Sequence, residues 1–512
     1  MQRLLRETDP KILRQAVSLL ENENRRLGEK IAGLMAQLAA AKGEDAATLQ
    51  LRLTQLEQQL ARKNKMIFGN SSEKRAAPEA TAEPESKPDS PPQTGHGRRE
   101  QTELPIVDEI HNVDEADKAC TQCGKALKDW EGQFEESFEI DVTPRRFVLK
   151  RHLRKKARCE CGGCIETAPG PLKLCDGARY SVDFAIEVAA SKFLDHMPLE
   201  RQVRTMGREG LIVDSQTLWD QTLRLGTLLS PVCARILGYI HSHSVVGADE
   251  TRWRIMGKDS GSEDGTKWWQ LWLVQCPTAV FYTIKDSRSK DAAKAILDGY
   301  HGVVMCDAYG AYPALQKDGN DFTLANCWSH ARREIVEVEE VSPTDAAEAL
   351  VILGKLFHVE TLCRAGPEGD DERRKLRNEQ SRPLVDEFQA WMLRAWANSI
   401  PESGMRKALK YIAGIWTGLT RFLDDPRIPL HNNSSERAAR GPVVGRKNFY
   451  GSRSRRGTEI AAIFYTLLES AKLAGVDPKA YLRAATLAAL RGEVIPLPHE
   501  FAKTVAAAAA AA

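Results

Sequence analysis

The chain has 512 residues, of which 42% are hydrophobic and 28% charged, and its formal net charge is only +2. A chain of this length needs several domains, and the composition is typical of a folded, soluble protein. The near balance of charges excludes binding to nucleic acid through overall charge, so any such affinity must come from local patches. The sequence shows neither a membrane-length apolar run nor a signal peptide, which predicts a cytoplasmic protein without a membrane partner.

Residues 1–70 carry a heptad repeat. One seam position holds Leu13, Leu20, Leu27 and Leu34, and the other holds Val17, Asn24, Ile31 and Leu38. An Asn at a seam position fixes the register of a two-stranded coil, so this region is predicted to form a homodimer or higher oligomer. The repeat breaks at Gly43 and resumes out of phase, and an intramolecular hairpin folded there is the alternative.

Residues 71–105 are rich in Pro, Glu, Ala and Ser and are predicted to be a disordered linker. Residues 106–172 are predicted to form a zinc ribbon, because two thiolates on each of two tight turns complete a tetrahedral Zn²⁺ site. The predicted ligands are Cys120, Cys123, Cys161 and Cys164, with Cys159 as an alternative ligand. The basic run at 150–156 either contacts DNA or forms an exposed pair of strands.

Residues 173–243 are predicted to be helical. One helix begins at Pro198 and ends near Gly210, and Asp214 or Ser215 caps the next. Two helices joined by a short turn are typical of a helix-turn-helix DNA-binding domain, although most such pairs simply pack together.

Residues 244–458 show strand patterns, and their order favours a ribonuclease H-like α/β core. Three strands are followed by a helix, a fourth strand, a fifth strand and a further helix, with 335–425 as a helical insertion and 459–512 as a C-terminal helical segment and tail. The predicted strands are Val245–Ile255, Trp268–Gln275, Val280–Ile284, Gly302–Asp307 and Phe322–Cys327. The fold class is therefore a multidomain α+β protein.

Three carboxylates are predicted to meet in this core. Asp249 lies in the first strand and Asp307 ends the fourth, and these strands are neighbours in the expected fold. Glu436 follows on a helix that crosses the same edge. Three carboxylates can hold two divalent ions, and hard oxygen ligands favour Mg²⁺ or Mn²⁺. Taken singly, each acid has a local alternative role. Asp249 could cap a strand end, Asp307 could form a turn, and Glu436 could pair with Arg440.

Basic residues surround the third acid and predict a DNA-binding surface, with a solvated helix and loop as the alternative. The predicted DNA-binding residues are Arg437, Arg440, Arg446, Lys447, Arg453, Arg455, Arg456, His330, Arg332 and Arg333.

Several stretches resemble the large transposase of IS66-type bacterial insertion sequences. They are FGNSSEKR, CTQCG, PLERQ, GADETRW, CDAYGAY, CWSHARR and HNNSSERAARGPVVGRKNFYGS, which span about residues 60–455. Gly441 departs from the family pattern.

The resemblance implies a DDE mechanism with Asp249, Asp307 and Glu436 as the acidic triad. It also implies binding to double-stranded DNA at the terminal inverted repeats and at a target, strand cleavage and strand transfer. Small accessory proteins of the same element and a place near the bacterial nucleoid follow from it too. A non-catalytic DNA-binding regulator and a nuclease on the same core are the alternatives.

Overall fold

The computed structural model describes residues 145–158, 165–257, 259, 266–364 and 366–511, together with positions 106, 108, 125, 137 and 140. The predicted coiled coil, the linker and the five cysteines of the predicted zinc ribbon lie outside the described residues. Of the ribbon region the structure describes a short antiparallel hairpin, in which strand β1 (Lys156–Arg158) pairs with β2 (Ile165–Thr167). This hairpin flanks the second cysteine group in the sequence.

A five-stranded mixed sheet forms the centre of the fold. Its strands are β3 (Val245–Met256), β4 (Thr266–Cys276), β5 (Ala279–Lys285), β6 (Val303–Cys306) and β7 (Thr323–Asn326). The order across the sheet is β5-β4-β3-β6-β7, with β3, β4 and β5 antiparallel and β6 and β7 parallel to β3. The parallel step from β5 to β6 needs a crossover, which helix α4 (Lys290–Leu297) provides. The prediction that the first and fourth strands are neighbours is confirmed.

Among the described residues, three helices precede the sheet: α1 (Val182–Phe193), α2 (Leu199–Arg208) and α3 (Ser215–His241). The predicted cap is confirmed, since the Thr217 amide donates to Asp214 Oδ1 at 2.6 Å. Most buried side chains of α1 and α3 join the same apolar cluster as β3, β4 and β5. Val188, Met206 and Leu218 form a small separate cluster among the three helices. In the part of the chain that the structure describes, only α3 is long and apolar enough to cross a membrane, and its apolar face is buried in the larger cluster.

The two faces of the sheet are covered by different helices. Helices α4 and α5 (Ala311–Lys317) lie on one face, where Tyr312 packs edge-on against Trp272. Helices α12 (Asn433–Phe449) and α13 (Arg455–Leu473) lie on the other, where the Tyr282 hydroxyl donates to the Ala438 carbonyl at 2.7 Å. Helices α14 (Pro478–Leu490) and α15 (Pro498–Ala511) complete the C-terminal part, and α15 includes most of the terminal alanine run.

The predicted helical insertion has its own core. Its helices, with the one that leads into it, are α6 (Trp328–Val336), α7 (Pro343–Leu362), α8 (Asp370–Leu376), α9 (Arg382–Asn398), α10 (Gly404–Gly414) and α11 (Trp416–Thr420). Arg377, whose side chain is 1% exposed, ties it together through Glu360 and the carbonyl of Phe422. The Trp328 amide donates to the Leu430 carbonyl at 3.1 Å, so the insertion leaves and rejoins the core at one place.

Candidate active site

The first two predicted acids lie at the same level on neighbouring strands. Strands β3 and β6 are parallel, with Gly247 opposite Met305, and the same register carried two residues further brings Asp249 level with Asp307. Asp249 Oδ1 accepts from the Glu250 amide at 2.8 Å, and Asp307 Oδ1 accepts from the Tyr309 amide at 2.9 Å. The turn-forming role considered for Asp307 is therefore present, but it uses one of the two carboxylate oxygens.

Glu436 lies in the first turn of α12, as predicted, and its side chain is 34% exposed. Its carboxylate faces α6, with His330 Nε2 at 3.7 Å and an Arg333 guanidinium nitrogen at 3.9 Å. Among the described residues, Glu436 forms ion pairs with His330 and Arg333 rather than with Arg440. Residues of the CWSHARR stretch thus lie beside the third acid.

A buried asparagine fixes the start of α12 against the strand that carries Asp249. Asn432 is 1% exposed, and its side-chain amide donates to the Ala248 carbonyl at 2.8 Å. Its backbone amide contacts Cys327 Sγ at 3.2 Å, and the Ser435 hydroxyl donates to its side-chain oxygen at 2.6 Å. Because Ala248 precedes Asp249, these bonds set the position of Glu436 relative to Asp249.

Gly247 makes this close approach possible. A side chain at Gly247 would overlap the Ser435 hydroxyl and would come within 3.0 Å of the Asn432 side-chain oxygen. Glycine is therefore needed here for its lack of a Cβ atom rather than for an unusual backbone conformation.

The three acids influence one another electrostatically. Burial raises the pKa of the Asp249 carboxyl to about 7, and the negative charges of Glu250, Asp307 and Glu436 act in the same direction, while the hydrogen bond from the Glu250 amide opposes them. A site where neighbouring carboxylates raise the pKa of Asp249 favours a cation that neutralises their charge. Within the described part of the chain, no three His, Cys, Asp or Glu side chains are already grouped closely enough to hold a metal ion.

The raised pKa predicts how Asp249 affects the stability of the metal-free protein. Its pKa rises from 3.8 to about 7 on folding, so the folded state binds the proton more tightly. The resulting stabilisation is complete below pH 3.8 and is lost as the pH rises to about 7. The substitution Asp249→Asn removes the buried charge and is expected to stabilise the protein at pH 8 by up to about 4 kcal/mol.

Urea unfolding in EDTA from pH 5 to pH 8 measures this effect. Asp298→Asn is the matched control, since that side chain is 69% exposed, and it should show no pH-dependent gain. An increase in the free energy of unfolding for Asp249→Asn that is the same at every pH would contradict the prediction.

A fourth acid, Glu250, lies on the opposite face of β3 in a cluster of hydrogen-bonded side chains that was not predicted. The Glu250 side chain is 1% exposed, binds the Arg288 guanidinium and accepts from the Tyr312 hydroxyl at 2.9 Å. Arg288 also lies over the Tyr309 ring at 3.7 Å, and its carbonyl accepts from the Tyr309 hydroxyl. Because the Tyr309 amide binds Asp307, this cluster supports the loop that positions Asp307. The only sequence signal for it was a second acid directly after Asp249.

The basic residues of α12 divide into two groups. Arg437, Arg440 and Lys447 are exposed and lie within about 80° of one another around the helix, which makes a continuous basic stripe. Arg446 instead faces the sheet, where it donates to the Thr251 hydroxyl at 3.1 Å, and burial lowers its pKa. The stripe is open to a polyanion, whereas Arg446 is already engaged.

The remaining predicted DNA-binding residues lie on α6 and around the start of α13. Arg453, Arg455, Arg456 and Arg333 are exposed, while His330 and Arg332 are half-buried. Arg455 is partly engaged, because its guanidinium lies 3.6 Å from Asp286 and its amide donates to Asp259 at 2.8 Å. All of these residues flank the acids in sequence or space, but none of these contacts identifies a ligand.

Comparison with known proteins assigns the chain to a family. A family model described as the transposase IS66 family matches residues 177–460, a range that includes all three acids. The uncharacterized protein y4jD of Sinorhizobium fredii is 31% identical over 395 residues, which cover 74% of this chain and 76% of that protein. The uncharacterized protein y4hP of the same organism is 27% identical over 483 residues, covering 88% of this chain and 84% of that protein.

Proposed function

The chain belongs to the transposase IS66 family, and we propose that it is a DNA transposase that cuts and joins DNA strands at the ends of an insertion sequence. The observation that carries this proposal is the placement of three acids from separate segments of the chain: the register of β3 and β6 brings Asp249 level with Asp307, and the start of the helix that carries Glu436 is bonded to the residue before Asp249. The strand order of the sheet supports a ribonuclease H-like core for this chemistry.

Asp249, Asp307 and Glu436 are the proposed metal-binding residues. Their negative charges would bind Mg²⁺ or Mn²⁺ in place of the protons that the raised pKa of Asp249 now favours. Divalent ions at such a site activate a water or a DNA 3′-hydroxyl and stabilise the leaving oxygen of an in-line displacement. His330 and Arg333 lie beside Glu436, and Arg333 places positive charge where a DNA phosphate would approach.

The partner of this site is double-stranded DNA, both the terminal inverted repeats and the target. We also propose that residues 106–172 bind Zn²⁺ and that residues 1–70 form a coiled-coil oligomer. The same proposal places the protein in the cytoplasm near the nucleoid, where it acts with small accessory proteins of the element. Within it, the helices α2 and α3 form the helix-turn-helix pair.

A strand-joining assay tests the proposed function. Full-length protein is given labelled, pre-cut terminal-repeat DNA, target DNA and Mg²⁺, and the products are separated on a denaturing gel. Joined products support a transposase. Cleavage without joining would indicate a nuclease instead, and binding alone would indicate a regulator.

Neutralising the exposed basic residues near Glu436 is expected to reduce the salt dependence of DNA binding. The variant Arg437→Gln, Arg440→Gln, Lys447→Gln removes the basic stripe on α12. On duplex DNA the magnitude of the negative slope of log K against log salt should decrease by roughly 3. Fluorescence anisotropy at several salt concentrations measures the slope.

The substitution Arg446→Gln is the internal control for the stripe, because its guanidinium donates to Thr251 rather than facing solvent. It should leave the salt slope within one unit of the wild-type value. A triple variant with an unchanged slope would show that the stripe is only a solvated helix face.

A further inference from the structure

Among the residues that the structure describes, no helix covers a basic area of the central sheet on the face that α4 and α5 cover elsewhere. On this face Glu250 and Trp272 are opposite each other and are buried beneath Tyr312. Two residues further along β3 the helical cover ends, and Arg252 is exposed. In the described part of the chain, the sheet continues for two more rows with no helix against this face.

Cross-strand pairing defines the side chains in these rows, because directly opposed residues of antiparallel strands point to the same face. Arg252 is opposite Gln270, and Gln270 is opposite Lys285, so one row crosses β3, β4 and β5. Arg254 is opposite Trp268 in the next row, about 7 Å away. We call these five residues the open shelf.

The open shelf combines three cationic groups with an exposed aromatic ring. Trp268 is 54% exposed and lies beyond the last pair of β4 with β5, so at its level β4 pairs only with β3. Its neighbour Trp269 points to the opposite face and is 3% exposed. None of the five shelf positions carries a carboxylate, so charge complementarity selects a polyanion with flat apolar groups.

We infer that the open shelf binds an unpaired DNA strand, with a base stacked on Trp268 and phosphates contacted by Arg252, Arg254 and Lys285. Duplex DNA offers phosphates but keeps its base faces inside the stack, so it could not use the exposed indole. Arg252 follows Asp249 by about 10 Å along β3 but points to the opposite face of the sheet, so a strand leaving the acids reaches the shelf by passing around the edge of the sheet. The biological setting of this inference rests on the proposed function, while the binding itself does not.

Binding of a fluorescein-labelled oligothymidylate to the full-length protein in EDTA tests the shelf. The substitution Trp268→Ala is expected to weaken binding by about tenfold or more, because stacking is lost, whereas Trp268→Phe should stay within about threefold of wild type. The matched control is Trp396→Ala, which removes a tryptophan of the helical insertion that is 40% exposed and should leave binding unchanged.

A second variant tests the cationic groups. The change Arg252→Gln, Arg254→Gln, Lys285→Gln should lower the salt slope for single-stranded DNA by about 2. The control, Lys355→Gln, Lys375→Gln, Arg394→Gln, removes the same number of exposed charges from the insertion and should not change the slope. Thermal melting of each variant checks that it is folded.

Three results would overturn the inference: no oligothymidylate binding by the wild-type protein, wild-type binding by Trp268→Ala, or an equal loss for duplex and single-stranded DNA. Asp249→Asn separates this inference from the proposed function, since it should bind oligothymidylate normally and fail to join strands. If the wild-type protein joined no strands but Trp268→Ala still lost oligothymidylate binding, the shelf would stand and the proposed reaction would not.

Discussion

Replacing Asp249 by Asn, Asp307 by Asn or Glu436 by Gln is expected to reduce strand joining by about a thousandfold or more in each case. An amide keeps the shape of the side chain but loses the charge that would hold a divalent ion. DNA binding should change by less than about threefold, because the exposed basic residues remain. Joining of pre-cut, labelled terminal-repeat DNA in Mg²⁺ measures the first effect, and anisotropy measures the second.

The matched controls make the same chemical change at exposed acids of the helical insertion, Asp386→Asn and Glu387→Gln. Both should join DNA at the wild-type rate. Any of the three site variants that still joins at more than about a tenth of that rate would be removed from the proposed site.

The substitution Gly247→Ala is expected to lower joining by about a hundredfold, although Gly247 carries no chemical group. The added methyl group would overlap the Ser435 hydroxyl and crowd Asn432, so α12 must move away from β3. Glu436 moves with the helix, and a displacement of about 1 Å at a reacting centre costs on the order of a hundredfold. The joining assay measures the loss, and melting curves separate it from unfolding.

Two further variants sharpen this prediction. Gly354→Ala is the matched control, because a methyl group there meets nothing within 4 Å and alanine suits the interior of α7. Adding Ser435→Ala to Gly247→Ala removes the overlapping hydroxyl and should restore at least part of the lost rate. Full joining by Gly247→Ala alone would contradict the account of how α12 is positioned.

The sequence predicted the sheet well because its signals there are local. Alternating apolar residues marked the long strands, and a buried run ending in Asp307 marked β6 to within one residue of its observed bounds. The adjacency of the first and fourth strands followed from the strand order. The relation of α1 and α3 to the sheet was missed, because the shared apolar cluster joins residues far apart in sequence.

The supporting residues of the site were less predictable. Glu250 follows Asp249 directly, but its partner Arg288 comes from a loop and only the fold brings them together. Asn432 and Gly247 act through a close contact between a helix and a strand, which no spacing along the chain reveals. Trp268 has the sequence pattern of a core strand residue, but it is 54% exposed and lies beyond the last pair of β4 with β5.

Arg446 shows that the charge of a residue alone does not reveal where its side chain points. It belongs to a dense basic stretch, and its charge alone predicted a DNA contact. Its position on α12 turns it toward Thr251 instead, while Arg437 and Arg440 on the same helix face solvent. The position of each basic side chain around the helix therefore decides whether it faces solvent or the sheet, and composition alone does not show this.

The helical insertion that leaves the core at Trp328 and returns at Leu430 also decides what an incomplete chain can do. During synthesis on the ribosome both aspartates emerge first, and Glu436 follows only after the entire insertion. A nonsense codon within the insertion leaves a product with two of the three acids. Under the proposed mechanism such a remnant is inert toward the host chromosome, so a decaying copy of the gene loses its activity without becoming a source of random breaks.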